Sequence, residues 1–337
     1  MTIRIGLIGA GIMGSDHARI FATQIPGAKL QAVCDADAAR AKSIADSTGA
    51  ADAATDLLAL IKRPDIDAIL IASPDHTHGE LTIAAIAARK PVPCEKPLAP
   101  TSIECLKVMD AEIKSGKRLA KIGFMRRFDP SYADMKSVLG GGEIGRPLMF
   151  HCFHRNVSAP SNFTGQMAIS NSAPHEFDIA RWVLDTGYKS INIFRPKLAD
   201  PTKTGAPVFM VLETEGGQLV NIEINNNAAY GYDVRGELAG EKGTVSLRNN
   251  DMSITRVSLA QSVRFPVDWR PRFAEAYRLQ NAAWLKSIET AIPAGASAWD
   301  GYAATLVAEA GIASLERGAG VEIIPAPKPD FYREKFA

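Results

Sequence analysis

The chain has 337 residues, 46% of them hydrophobic and 22% charged, with a formal net charge of +1 at pH 7. That length exceeds one ordinary core and predicts two domains, while the composition excludes a disordered or low-complexity chain. The near-neutral balance gives no electrostatic footprint for nucleic acid or an anionic membrane, and no apolar run reaches the roughly 18 residues a membrane helix needs.

The first readable element is an apolar run, Ile5 to Ile8, feeding Gly9-x-Gly11-x-x-Gly14 and a helical pattern from Ser15. A strand entering such a turn aims backbone N–H groups and a helix N-terminus at one spot, where a pyrophosphate fits. The cofactor-binding set from this turn is Gly9, Gly11, Ile12, Met13 and Gly14. The second strand, Leu30 to Cys34, ends at Asp35, about 20 positions beyond the last glycine, where an acid binds the adenosine ribose hydroxyls. Asp37 is a nearby alternative, and Ala36 supplies no arginine for a 2′-phosphate, so the expected cofactor is NAD rather than NADP.

Residues 1–122 continue to alternate strand and helix patterns, which predicts a parallel sheet wrapped by helices. Helices are expected over Ala38 to Thr48, Asp56 to Ile61, Gly79 to Ala88 and Thr101 to Ser115, the last closing at Gly116. Strands are expected at Ala68 to Ala72, Pro91 to Cys94 and Leu119 to Phe124. From Pro147 the grammar changes to successive strands at 147–155, 207–214, 218–225, 230–238, 243–247 and 252–257. Glu215-Gly216-Gly217 and Gly240 to Gly243 read as hairpin turns. The prediction is a Rossmann α/β domain over 1–122 and an α+β domain over 123–337 with a large, mostly antiparallel sheet. One helix interrupts that sheet near 173–185, and two amphipathic helices close the chain, the second near 299–317 and able to pack back on the first domain.

Ligands of open α/β sheets lie beyond the carboxyl ends of the strands. Two such ends carry unusual residues: Ser73-Pro74 with His78 nearby, and Glu95-Lys96-Pro97. All five of Ser73, Pro74, His78, Glu95 and Lys96 belong to the expected cofactor-binding set. His76 and His78 lack partner ligands for a metal, so no metal is expected. A lysine at a strand end beside a cofactor can hydrogen-bond a substrate hydroxyl and favour its alkoxide. Cys34, Cys94, Cys105 and Cys152 show neither CxxC spacing nor disulfide density, and the first strand at Ile3 leaves no room for a signal peptide; the expected location is cytoplasmic.

These segments together resemble the Gfo/Idh/MocA oxidoreductase family, most closely its inositol 2-dehydrogenase branch. The likeness rests on Gly9 to Gly14, Ser73-Pro74 with His78, Cys94 to Leu98, Gly123 to Asp129, His175 to Asp178 with Arg181-Trp182, Gly231 to Gly236, and Trp269 to Phe273 leading to Ala276-Tyr277. It implies a Rossmann domain joined to an open-faced β-sheet domain that contacts a small polyol or sugar and builds a homotetramer. It also implies NAD-dependent oxidation of a secondary alcohol of a cyclic polyol, with myo-inositol giving the 2-keto product. The alternatives are another inositol isomer, a pyranose sugar, or a non-catalytic NAD-sensing regulator. By resemblance the catalytic pair is Lys96 and His175, and the substrate contacts are Arg126, His154, Asn156, Asn171 and Tyr232. His154 and Asn156 are two apart on an expected strand and so share a face. Asn171 stands where the family often carries an aspartate four residues before the histidine; an amide hydrogen-bonds the ring without stabilising an imidazolium by charge. Pro174 suits a first helical turn capped by Ser172 or Ala173, which places His175 at a helix N-terminus where the dipole favours the neutral ring. Asp178, one turn on, either positions that ring or favours the helix start.

Overall fold

A computed structural model describes residues 2–160, 163–197, 207–248 and 254–333. The chain divides into two units, one of 1–125, 276–305 and 325–337, the other of 126–275 and 306–324.

In the first unit, β1 (Ile3–Ile8), β2 (Ala28–Cys34), β3 (Asp52–Ala54), β4 (Ala68–Ile71), β5 (Val92–Cys94) and β6 (Ala120–Ile122) form one parallel sheet. Its order is β3-β2-β1-β4-β5-β6, so the winding reverses between β1 and β4 and opens a crevice at their carboxyl ends. Ile5, Leu7, Ile8, Ile69 and Ile71 are fully buried, as strands covered on both faces require. The crossovers are α1 (Ile12–Gln24), α2 (Ala38–Thr48), α3 (Leu57–Lys62), α4 (His78–Ala87) and α5 (Ser102–Ser115). Their ends follow local chemistry. Thr101 and Glu104 make a reciprocal capping box at the start of α5, and Gly116 closes it with a left-handed φ of 71°.

The second unit holds α6 (Pro130–Gly140), β7 (Pro147–Arg155), the single turn α7 (Gly165–Met167), α8 (Pro174–Leu184), β8 (Tyr188–Phe194), β9 (Val208–Thr214), β10 (Leu219–Asn225), β11 (Asp233–Gly240) and β12 (Thr244–Ser246). A separate hairpin, β13 (Ile254–Val257) and β14 (Ala260–Val263), follows. Next come α9 (Arg270–Thr290), α10 (Ala298–Arg317) and β15 (Val321–Glu322), with residues of α9 and α10 assigned to both units. The seven-stranded sheet runs β12-β11-β7-β10-β9-β8-β15, antiparallel throughout except for the parallel pair β7–β10. Its inner face buries Phe150, Cys152, Met210, Leu212, Val220 and Ile222. The outer face carries the half-exposed Met149, Phe209 and Leu219 between the ion pairs Arg155–Glu223 and Lys189–Glu213. This alternation is the period of two expected of a sheet covered on one side.

The expected elements are found with ends shifted by a few residues, and residues 252–253 of the last expected strand lie outside the described residues. Several elements carry no local signal. β3 is only Asp52-Ala53-Ala54, a sequence of low strand propensity that is extended by its pairing with β2. A register shift between Tyr188 and Ser190 breaks the alternation that would announce β8. Ala173 takes the expected cap position with Pro174 in the first turn, but no side chain caps it and it is itself helical, donating its N–H to Ala168, because Ala168–Ser172 already form a π-helical turn. The first side-chain cap lies further back, at Thr164. His175 therefore sits inside a continuous helical run, and the dipole argument for a neutral ring weakens, since that effect fades within the first turn.

Candidate functional site

In the first unit the glycine turn leaves β1 at Gly9, whose φ is 96°, and reaches α1 through Gly11. A Cβ on Gly14 would lie 1.8 Å from the carbonyl oxygen of Gly9, whereas one on Gly11 would meet no protein atom within 4 Å. Gly14 thus serves the fold, and Gly11 keeps open the approach to a helix start that has no side-chain cap. This is a cradle that a dinucleotide pyrophosphate fits. Gly11→Ala is expected to leave the melting temperature nearly unchanged while weakening NAD about tenfold or more, a loss of at least ~1.4 kcal/mol. Gly14→Ala is expected to unfold the turn. Thermal melts beside NAD titration separate the two, and equal effects on both readouts would contradict the division of labour.

Asp35, at the end of β2, is 9% exposed. Its carboxylate accepts the Ala10 N–H at 2.7 Å and the Asp37 N–H at 2.9 Å. Asp37 is the N-cap of α2, accepting the Arg40 N–H, and is exposed. The Arg40 guanidinium lies 3.7 Å from Asp35, an arginine that reading only the neighbouring position 36 overlooks.

Across the crevice, Ser73 Oγ lies 2.6 Å from Thr77 Oγ1. His78 begins α4 with 1% exposure, its Nδ1 2.6 Å from the Pro97 carbonyl and its Nε2 2.9 Å from the Ser73 carbonyl. A neutral imidazole has one N–H, so two carbonyl acceptors call for the imidazolium. Burial lowers the pKa of this ring, but the Cys94 sulfur and the two carbonyls outweigh it and raise the pKa to about 10. Glu95 is buried, with Oε1 2.8 Å from His17 Nε2 and Oε2 accepting the Lys96 N–H at 3.2 Å. Burial raises the pKa of Glu95; the His17 bond and the Lys96 charge overcome that and hold it below the usual carboxylate range. Lys96 itself is half-buried.

In the second unit, His175 is 8% exposed on α8, and Asn171 is exposed on the π-helical turn before it. The three charges of Met125 to Asp129 all find partners. Arg126 pairs with Glu176, Arg127 donates to Asp178 at 2.8 Å, and Asp129 accepts a bidentate pair from Arg272 at 2.6 and 2.8 Å. Asp178 thus has Arg127 as a partner. His154 Nδ1 lies 3.2 Å from Glu176 Oε2 and 3.3 Å from Arg126 Nη2. Donation to the carboxylate is the charge-assisted choice. Tyr232 stacks edge-on against His154 with centroids 6.0 Å apart, and Asn156 donates its amide to Asn226. Glu176 and His17, which the sequence pattern did not single out, are the buried partners around which these groups are arranged; a charged residue in an apolar helix stripe was the available signal for Glu176. Among the described residues no group of three or more His, Cys, Asp or Glu is placed to hold a metal.

The family model for the oxidoreductase NAD-binding Rossmann fold (GFO/IDH/MocA) matches residues 3–123, and the GFO/IDH/MocA C-terminal domain matches 132–246. Inositol 2-dehydrogenase 1 of Saccharopolyspora erythraea is 45% identical over 337 residues, covering 98% of this chain and 99% of that protein. Myo-inositol dehydrogenase from Lactobacillus casei, solved with NAD(H) and myo-inositol, superimposes with a TM-score of 0.94 at 32% identity, covering 99% of this chain and 100% of that one. Scyllo-inositol dehydrogenase from the same organism, with NAD(H) and scyllo-inositol, gives a TM-score of 0.89 at 25% identity over 96% of this chain and 99% of that one.

Proposed function

This chain belongs to the GFO/IDH/MocA oxidoreductase family, and from that premise we propose that it oxidises myo-inositol to the 2-keto product with NAD. The observation that carries the reading is the full-length likeness to an enzyme solved with NAD(H) and myo-inositol. NAD, when bound, supplies the hydride acceptor. Gly9 to Gly14 hold its pyrophosphate through backbone N–H groups, and Asp35 accepts the ribose hydroxyls. The apolar Ile12, 65% exposed beside the turn, is surface that a bound nucleotide would cover. Lys96 donates to the reacting hydroxyl and stabilises charge developing on its oxygen, while His175 takes the proton. His154 and Tyr232, with Arg126 behind them, and Asn156 and Asn171 are the proposed hydroxyl contacts. The residues 1–122 are proposed as the cofactor domain and 123–337 as the substrate and assembly domain.

A panel of inositol isomers and pyranoses with NAD, read by NADH absorbance, tests the substrate, and fastest turnover of anything but myo-inositol overturns it. The second reading, a different isomer, draws on Asn171 and on the likeness to scyllo-inositol dehydrogenase.

Asp35→Ala is expected to weaken NAD about 10- to 100-fold, the worth of charge-assisted hydrogen bonds. It also removes the anion that repels a 2′-phosphate, while Arg40 keeps its 3.2 Å bond to Asp37. The ratio of kcat/KM for NAD to that for NADP reads both effects; equal use of the two cofactors by the unaltered protein would contradict the assignment.

The outer sheet face, with Met149, Phe209 and Leu219 partly exposed, is the surface proposed to pair with further copies in a homotetramer, and a solution mass by light scattering checks it. The four cysteines are buried and free, which suits the reducing cytoplasm proposed as its location.

A further inference from the structure

We propose that His17 and His78 are positioning residues for Lys96, each fixing one of its chain neighbours: His17 through the Glu95 carboxylate and His78 through the Pro97 carbonyl. The inference rests on the reading of Lys96 as the lysine that meets the reacting hydroxyl.

Both histidines lie beside the expected cofactor site with their ring nitrogens on protein atoms, so His78, expected among the cofactor contacts, instead ties two loops together. His17 is 3% exposed and His78 1%, and all four ring nitrogens already face protein atoms. His17 Nδ1 lies 3.0 Å from the Asn281 amide nitrogen and so accepts from it, which leaves the proton on Nε2, 2.8 Å from Glu95 Oε1. This ring is a link in a chain running from Asn281 through His17 and Glu95 to the Lys96 N–H at 3.2 Å. His78 bonds the Pro97 carbonyl at 2.6 Å and the Ser73 carbonyl at 2.9 Å, tying the loop after β5 to the loop after β4. Acid–base chemistry and metal binding both need a ring nitrogen that faces the ligand; with none, holding is the role that remains.

Lysine reaches its target on a flexible four-carbon stem, so its aim depends on how firmly the backbone beneath it is set. Here the residue before Lys96 is clamped by its side chain and the residue after it by its carbonyl. The Glu95 carboxyl is packed so tightly that a Cβ on Gly123 would lie 2.9 Å from its carbon, leaving it little room to swing away. His17 is carried by α1, the helix into which the nucleotide turn runs, so the cofactor cradle and the lysine belong to one hydrogen-bonded frame within this unit.

His17→Leu removes the link while keeping bulk. The expected result is a kcat lowered by tens of times up to about 100-fold, as for a small misplacement of a reacting group, with the NAD dissociation constant within about threefold of wild type. His17→Gln, whose amide both accepts and donates, is expected to recover most of that loss. In a Lys96→Ala background, His17→Leu is expected to change the residual kcat by less than about twofold, because its effect passes through the lysine. Should His17→Leu not fold, the isosteric Glu95→Gln carries the same cycle: a lowered kcat alone, and no further loss beside Lys96→Ala. The proposal is overturned if these variants keep wild-type kcat, or lose the same factor with and without Lys96. A Lys96→Ala protein with undiminished turnover would instead sink the assignment of the lysine, a separate outcome.

Discussion

Lys96→Ala is expected to lower turnover by about 10²–10⁴-fold while NAD binds with near wild-type affinity. Lys96, just past the end of β5 and half-buried, offers donors on a positive charge. Its proposed task is to stabilise charge that grows only as the hydroxyl proton departs, and a loss of that kind falls on kcat rather than on cofactor binding. His175→Ala is expected to fall by the same order, for want of the proton acceptor. Initial rates at saturating polyol, beside NAD titration by fluorescence, give the two numbers needed. Wild-type turnover in both variants would dismiss the proposed chemistry.

The second large effect is on stability. Glu176 is fully buried between the Arg126 guanidinium and His154. Removing one member of a buried ionic group leaves the other charge uncompensated, at about 3–5 kcal/mol. Glu176→Ala is therefore expected to lower the melting temperature by roughly 6–20 °C, at the 2–4 °C per kcal/mol typical of units this size. Burial raises the pKa of this carboxyl, but the Arg126 charge and His154 overcome it and hold it below the usual range. A depressed folded pKa means the contribution is present above the unfolded value near 4.5 and is lost as pH falls through the folded one. The gap in melting temperature between the wild type and Glu176→Gln should thus narrow below about pH 4.5. A gap that widens on acidification would show that the carboxylate is not stabilised by its partners.

Much of this was legible in the chain because its signals are local. The glycine turn, the acid after β2, the Gly116 stop and the hairpin glycines act over a few residues, and short-range sterics and hydrogen bonds decide them. What stayed hidden was decided elsewhere in the fold. The partners Arg126 and Glu176 are 50 positions apart and His17 and Glu95 are 78 apart, and no periodicity carries such a pairing. β3 exists because β2 offers it a ladder. The π-helical turn before His175 leaves no local mark, because Pro174 is a first-turn residue of α8 whether the chain before it is a loop or, as here, a turn closed by the Ala173 N–H on the Ala168 carbonyl.

Asp35 staples Ala10 of the phosphate loop with the same carboxylate that is proposed to read the sugar. Anyone redesigning this protein to accept the other nicotinamide currency would therefore loosen the loop with the same stroke that removes the repulsion. A shorter acceptor at that position, such as serine, has to reproduce the bond to Ala10 before the exchange can succeed. Selectivity and loop geometry are inherited together here, and they will have to be altered together.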